Sequence, residues 1–147
     1  MAATIILVQT AEQLEQCLEI RKEVFVGEQN VPLEEEVDQF DVISPDVNHI
    51  LLEVEGLPAA TGRITYYKDN AAKVQRVAVR SAYRSKGTGR VLMLALEQTA
   101  RELGFEKAVL DGQCQAEEFY RKLGYEVISK EPFYDAGILH VRMEKKL

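Results

Sequence analysis

Residues 84–90 read Arg-Ser-Lys-Gly-Thr-Gly-Arg, the segment of this chain best equipped for chemistry. Arg84, Lys86 and Arg90 supply positive charge, while Gly87 and Gly89 let the backbone turn tightly and come close to a ligand. The apolar run Val77-Ala78-Val79 comes before it and a long helical pattern comes after. A helix beginning near Gly87 leaves about four amide N–H groups without partners, at the positive end of the helix dipole. Such a start holds a phosphate or pyrophosphate. It is not a Walker A loop, because the G-x-x-x-x-G-K-[ST] pattern is missing. Nor is it a full dinucleotide fingerprint, because Arg90-Val91-Leu92 follows Gly89 and the third glycine is absent. As turn chemistry alone, two glycines at a helix start are also sufficient.

Other reactive side chains are few. The two histidines, His49 and His140, and the two cysteines, Cys17 and Cys114, lack metal-ligand spacing, so no metal is expected. Neither thiol has a His/Asp partner pattern, and both fit a small buried role. His49 precedes an apolar run and His140 sits between Leu139 and Val141, so either suits a structural position as well as proton transfer. Tyr120 is a core aromatic or a proton donor on spacing alone; tyrosine has a reference pKa of about 10.

The elements that must position these groups follow from periodicity. Residues 4–8 read as a strand. Thr10 and Gln13 form a capping-box pattern, and Leu14, Cys17, Leu18, Val24 and Phe25 continue at helical spacing. Arg21 falls on that stripe and reads as a long stem over apolar surface rather than an anchor for a carboxylate. Residues 27–40 suggest a loop with a short acidic helix. Strands are expected at 48–55, 59–67 and 73–79. A long helix then carries Leu92, Ala95, Leu96, Thr99, Ala100 and Leu103, widened by Val91 and Leu94, with Gly104 as its stop. A strand at 107–111, a short helix at 116–123 closed by Gly124, and strands at 125–128 and 138–143 complete the pattern. A helix crossing between two parallel strands makes this a mixed α/β sheet.

The chain has 147 residues, 46% hydrophobic and 29% charged, which fits one domain over 1–147. A net charge of −6 argues against a nucleic-acid partner. No run approaches ~18 apolar residues, so no membrane partner is expected. The short apolar N-terminal run has no basic region before it, and two cysteines make no disulfide framework, which points to the cytoplasm. Charge is unevenly spread: ten acids and no Lys or Arg lie between Glu23 and Gly62. Residues 80–90 hold Arg80, Arg84, Lys86 and Arg90 without an acid. One region would favour a cation and the other an anion.

Arg84-x-x-Gly87-x-Gly89 after Val77-Ala78-Val79 resembles the pyrophosphate-loop motif of the GNAT superfamily of acetyl-CoA-dependent N-acyltransferases. Residues 116–125, Ala-Glu-Glu-Phe-Tyr-Arg-Lys-Leu-Gly-Tyr, resemble that family's late helix, at the family's separation. Phe25-Val26-x-Glu28-Gln29-x-Val31-Pro32, with Glu35-Glu36 and Asp38, is similar to the ElaA-like branch, as is Gly137-Ile138-x-His140. The resemblance spans essentially the whole chain.

It implies a splayed mixed sheet of about six to seven strands flanked by about four helices, with acetyl-CoA in the split. The backbone of Val77, Ala78 and Val79 would pair with the pantetheine arm, and an N–H near Val79 would polarise the thioester carbonyl. The N–H groups of Ser85, Lys86, Gly87, Thr88, Gly89 and Arg90, helped by Arg84, would hold the pyrophosphate. Tyr120 matches the position that protonates the departing thiolate. The glutamate that many members carry on the strand before the loop is absent, since Lys73, Gln75 and Arg76 stand there. Glu28, Glu35, Asp38, Asp41, His49, His140 or a water chain remain as candidates for the base. Glu28, Gln29, Glu35, Asp38 and His140 are the expected lining of the acceptor groove, whose acids would attract a small cationic amine. An acetyltransferase, a non-catalytic acyl-CoA-binding regulatory module and an unrelated phosphate-ligand binder all remain open, as does a homodimer.

Overall fold

The structure is a computed structural model that describes residues 2–147. Four strands make one arm of the sheet: β1 (Ala3–Leu7), β2 (Val47–Val54), β3 (Leu57–Tyr66) and β4 (Ala71–Val79). The other arm holds β5 (Lys107–Gln113), β6 (Glu126–Val127), β7 (Phe133–Asp135) and β8 (Ile138–Lys146). The eight strands run in the order β1-β2-β3-β4-β5-β8-β6, with β7 also paired to β8. All neighbours are antiparallel except β4 and β5.

The expected mixed α/β sheet is therefore present, with one further short strand. Three-residue β7 is too brief to show alternation. It is made by the turn at Ala136 (φ 51°) and Gly137 (φ 77°), which returns the chain along β8.

Helix α1 (Ala11–Arg21) opens on the capping box: Thr10 Oγ1 accepts from the Gln13 amide, and the Gln13 side chain accepts from the Thr10 amide. It continues over Lys22–Glu28 as a wider π-type turn, in which the Gln29 amide donates to the Val24 carbonyl at 3.2 Å. The remaining helices are α2 (Leu33–Glu36), α3 (Thr88–Glu102) and α4 (Glu117–Lys122). Leu14, Cys17, Ile20 and Val24 of the first helical segment bury against Leu51 and Ala78 on one face of the sheet. On the other face, α3 buries Leu92, Met93, Leu96 and Ala100 against Ile64, Val74, Leu110 and Met143.

The expected stripe of α3 needs correction. Val91, Leu94 and Leu103 are exposed, and Met93 and Glu97 are buried instead. Met93, Leu96, Glu97 and Ala100 are spaced i, i+3, i+4, i+7, a helical face that a charged residue hides from an apolar count. Glu97 is tolerated there because Tyr125 Oη donates to it at 3.0 Å and Lys145 Nζ at 2.8 Å.

The cap is the local feature most open to test. Thr10→Ala should lower stability by about 1 kcal/mol, read as a shift in the urea midpoint with unchanged slope.

Candidate active site

Strand β4 runs beside β5 only from Ala71 to Val74, opposite Lys107 to Leu110. Beyond that point β4 stays with β3 to Val79, while β5 stays with β8 to Gln113. The two strands diverge and leave a fork. Arg76 has φ 57°, in the left-handed region, and the β3–β4 register shifts between Thr61 and Arg63. That bulge twists β4 away from β5. The Arg80 amide donates to the Ala59 carbonyl at 2.9 Å. In an alternating antiparallel ladder, Val79, one residue earlier, therefore points its N–H and C=O away from β3 and into the fork.

The segment after β4 makes a tight turn at Ser81–Tyr83 and enters α3 through Gly87, whose φ of 81° suits glycine. The Val91 amide is the first to find the Gly87 carbonyl, at 3.1 Å. The amides of Thr88, Gly89 and Arg90 thus lie in the unpaired first turn. Gly89 allows a close approach: a Cβ there would stand 3.2 Å from Phe119 of α4. Lys86 and Arg90 are exposed and form no ion pair among the described residues. Arg84 donates from Nε to the Val79 carbonyl at 2.9 Å and from Nη2 to Glu28 at 2.6 Å. Glu28, expected in the acceptor groove, is instead held on this side by Arg84.

A cavity of about 370 Å³ opens at the fork, lined by Gln75 to Val77 of β4, Asp111 and Gln113 of β5, Tyr120, His140 and the segment carrying Gln29 and Glu35. Gln29 and Gln113 bond across it, 2.8 Å from Gln113 Nε2 to Gln29 Oε1. The Tyr120 ring lies over Gly112, where a Cβ would meet it at 3.0 Å. Burial pushes its hydroxyl up to about 12, so it stays protonated through the neutral range. Cys114 packs beside this core as a half-buried free thiol, and Cys17 is fully buried, its thiol pushed up by burial.

The loop side of the cavity rests on buried ion pairs that residue spacing did not reveal. Arg21 is 1% exposed, so the stem reading fails: Nε donates to Glu36 at 2.8 Å, and the guanidinium also binds Asp41. Arg63 binds Asp38 at 2.7 Å and Asp41 at 3.0 Å. Arg76, at the bulge, donates to the Glu36 and Glu35 carbonyls at 3.2 and 3.3 Å and pairs with Asp38. Three arginines and three carboxylates therefore pin the loop to the bulge. Asp38 belongs to this network and does not line the cavity, unlike Gln29, Glu35 and His140. The acid-rich stretch is correspondingly less negative than its sequence: Glu23, Glu28, Glu36, Asp38 and Asp41 all pair with arginines.

Burial alone would raise Asp38 and Asp41, but the hydrogen bonds and charges of Arg63 and Arg21 outweigh it and hold both carboxyls below the ordinary range. Burial likewise opposes, and Arg142 with Lys73 reverses, the shift at Asp111, which also ends low. Burial pushes Glu36 up despite its arginines. His49 is held down by burial, with Nε2 2.9 Å from the Phe40 carbonyl, and stands outside the cavity.

Residues 9–147 match the family model described as an acetyltransferase (GNAT) domain. The chain is 41% identical over 140 residues to an uncharacterized N-acetyltransferase, YjcF, of Bacillus subtilis, covering 95% of this chain and 97% of the relative. A crystal structure from Lactobacillus plantarum, provisionally assigned as an N-acetyltransferase, aligns at TM-score 0.91 with 30% identity, over 100% of this chain and 99% of that one. The Escherichia coli ElaA crystal structure aligns at TM-score 0.84 with 26% identity, over 98% of each chain.

Asp41→Asn should cost about 3–5 kcal/mol at pH 7, because it leaves buried guanidinium charge short of an anion. Asp38, Asp41 and Asp111 have lowered pKa values in the fold, so their stabilisation is complete above about pH 4 and is lost as pH falls through the folded values. Glu36, raised by burial, acts oppositely: its contribution is present at low pH and fades as pH rises through its folded value. Urea midpoints across this range should fall in acid, less steeply for Asp41→Asn. An Asp41→Asn protein as stable as wild type at neutral pH would contradict the network.

Proposed function

The chain belongs to the GNAT acetyltransferase family, and on that premise we propose that it moves an acetyl group from acetyl-CoA to a primary amine of a small acceptor in a ternary complex. The observation that carries the reading is one cavity shared by the open edge of β4 and the Tyr120 side chain. The fork supplies unpaired strand edge for an amide-bearing arm, with Val77, Ala78 and Val79 as the pairing backbone. The amides of Ser85 to Arg90 receive the pyrophosphate at the start of α3, with Arg84, Lys86 and Arg90 adding charge. The pantetheine arm competes with Arg84 for the Val79 carbonyl, so donor binding releases that guanidinium toward the phosphates.

The Val79 N–H polarises the thioester carbonyl, and the amine attacks from the side lined by Gln29, Glu35 and His140. Tyr120 holds its proton through the neutral range and gives it to the sulfur as the C–S bond breaks. Glu35 and Asp135 line the cavity and carry no ion pair among the described residues. They favour a cationic amine on a smaller scale than ten free acids would.

A thiol-release assay with acetyl-CoA across an amine panel tests the reading. Tyr120→Phe should lower kcat by about 10²-fold or more. Calorimetry should find its CoA affinity unchanged. Equal turnover by the variant would remove Tyr120 from the mechanism, and tight CoA binding without turnover of any amine would make the protein a binding module.

A further inference from the structure

The attacking nitrogen must lose a proton, and Tyr120, already protonated, cannot take it. Of the two histidines, only His140 reaches the cavity. Its Nδ1 lies 2.7 Å from the Ile138 carbonyl. A carbonyl only accepts, so Nδ1 carries the hydrogen, and the neutral ring offers Nε2 as a lone pair. Phe133 stacks on the ring at 6.1 Å between centroids with 21° between planes, which fixes its plane.

Strand parity sets the direction of approach. Val141 and Met143 of β8 point into the core that contains Tyr120, so His140, between Leu139 and Val141, faces the opposite side of the sheet. Gly112, beneath the Tyr120 ring, is paired with Val141, and Gln113 is paired with His140. Tyr120 and His140 thus stand one register step apart, on opposite faces, at the mouth of the fork. Charged groups of every neighbouring element share this cavity. Lys73 of β4 is paired with Asp111 of β5, and Arg76 of β4 with Glu36 of α2. Glu35 of α2 and Asp135 of β7 have no cation partner among the described residues and place negative charge on the amine's side.

We propose that His140 is the general base of the transfer, a role that rests on the acetyltransferase reading. The amine reacts in its neutral form, its ammonium proton having been given to solvent. Its lone pair bonds to the thioester carbonyl carbon, the C=O π electrons move to oxygen, and the nitrogen, made acidic by that bond, gives one proton to Nε2. The tetrahedral intermediate then collapses: the C–S bond breaks, and sulfur keeps the electron pair and takes the Tyr120 proton. Solvent reprotonates the phenolate and removes the proton from the imidazolium. Acetyl-CoA and amine become amide and free thiol, with both side chains restored.

His140→Asn keeps an N–H near the Nδ1 position for the Ile138 carbonyl and removes the basic nitrogen. The variant should bind CoA as wild type does and lose about 10²-fold or more in kcat. The acidic limb of the wild-type kcat/KM profile should vanish in the variant. Nitrogen NMR of the wild-type protein should find the neutral ring protonated at Nδ1. A variant that keeps its rate, a lost rate with the acidic limb unchanged, or a neutral ring protonated at Nε2 each overturns the base while leaving the transfer standing. Wild-type protein that binds CoA and acetylates no amine overturns the transfer and the base together.

Discussion

Strand β4 abandons β5 after four paired residues, and the rest of the molecule is arranged around that break. A polar strand edge inside a sheet is costly unless something pairs with it. Here the break is enforced by the bulge at Arg76, which keeps β4 on β3 while β5 follows β8. The backbone of Val79 faces the gap, the first turn of α3 stands beyond it, and Tyr120 lies against Gly112 on its far wall. An unpaired edge, an unpaired helix start and a buried phenol are each ordinary. Their placement along one opening is what the proposed binding of a long amide-bearing ligand with phosphates at one end rests on.

The groups around the opening belong to two arms. The first contributes the Val79 edge and, through the buried arginines, the loop carrying Gln29 and Glu35. The second contributes Tyr120 and His140. Two contacts between the arms cross near the fork: Lys73 to Asp111 at 3.2 Å and the Gln29–Gln113 amide pair. The arginine network is therefore more than a stability feature. Arg76 ties the loop to the very residue whose backbone conformation opens the sheet, so the loop wall of the cavity and the open β4 edge share one anchor.

Features set by local physics were legible in the sequence. Thr10 and Gln13 define a cap within four residues, Gly87 and Gly89 mark a helix start, and Gly104 and Gly124 end helices with φ of 90° and 100°. The family likeness drew on the Gly87/Gly89 segment and on the late helix closed by Gly124 among these. What escaped depends on distant partners. Arg21 meets Glu36 and Asp41 only after the chain has folded back, and no periodicity separates such a pair from a solvated stem. Glu97 was left out of the apolar stripe because its counter-ion, Lys145, lies on the last strand. Arg63 carried a usable signal, a lone charge in the otherwise uncharged run from Gly56 to Tyr67, which marks a buried cation awaiting carboxylates. Glu28 and Asp38 were placed in the groove by motif, and the structure gives each a different arginine.

The central claim is that the open β4 edge and the first turn of α3 receive one ligand together. Amide hydrogen exchange, followed by NMR with and without saturating CoA, reads both at once. Slowed exchange at Val79 together with Thr88, Gly89 and Arg90 is the predicted result. CoA binding that leaves these four amides untouched would contradict it.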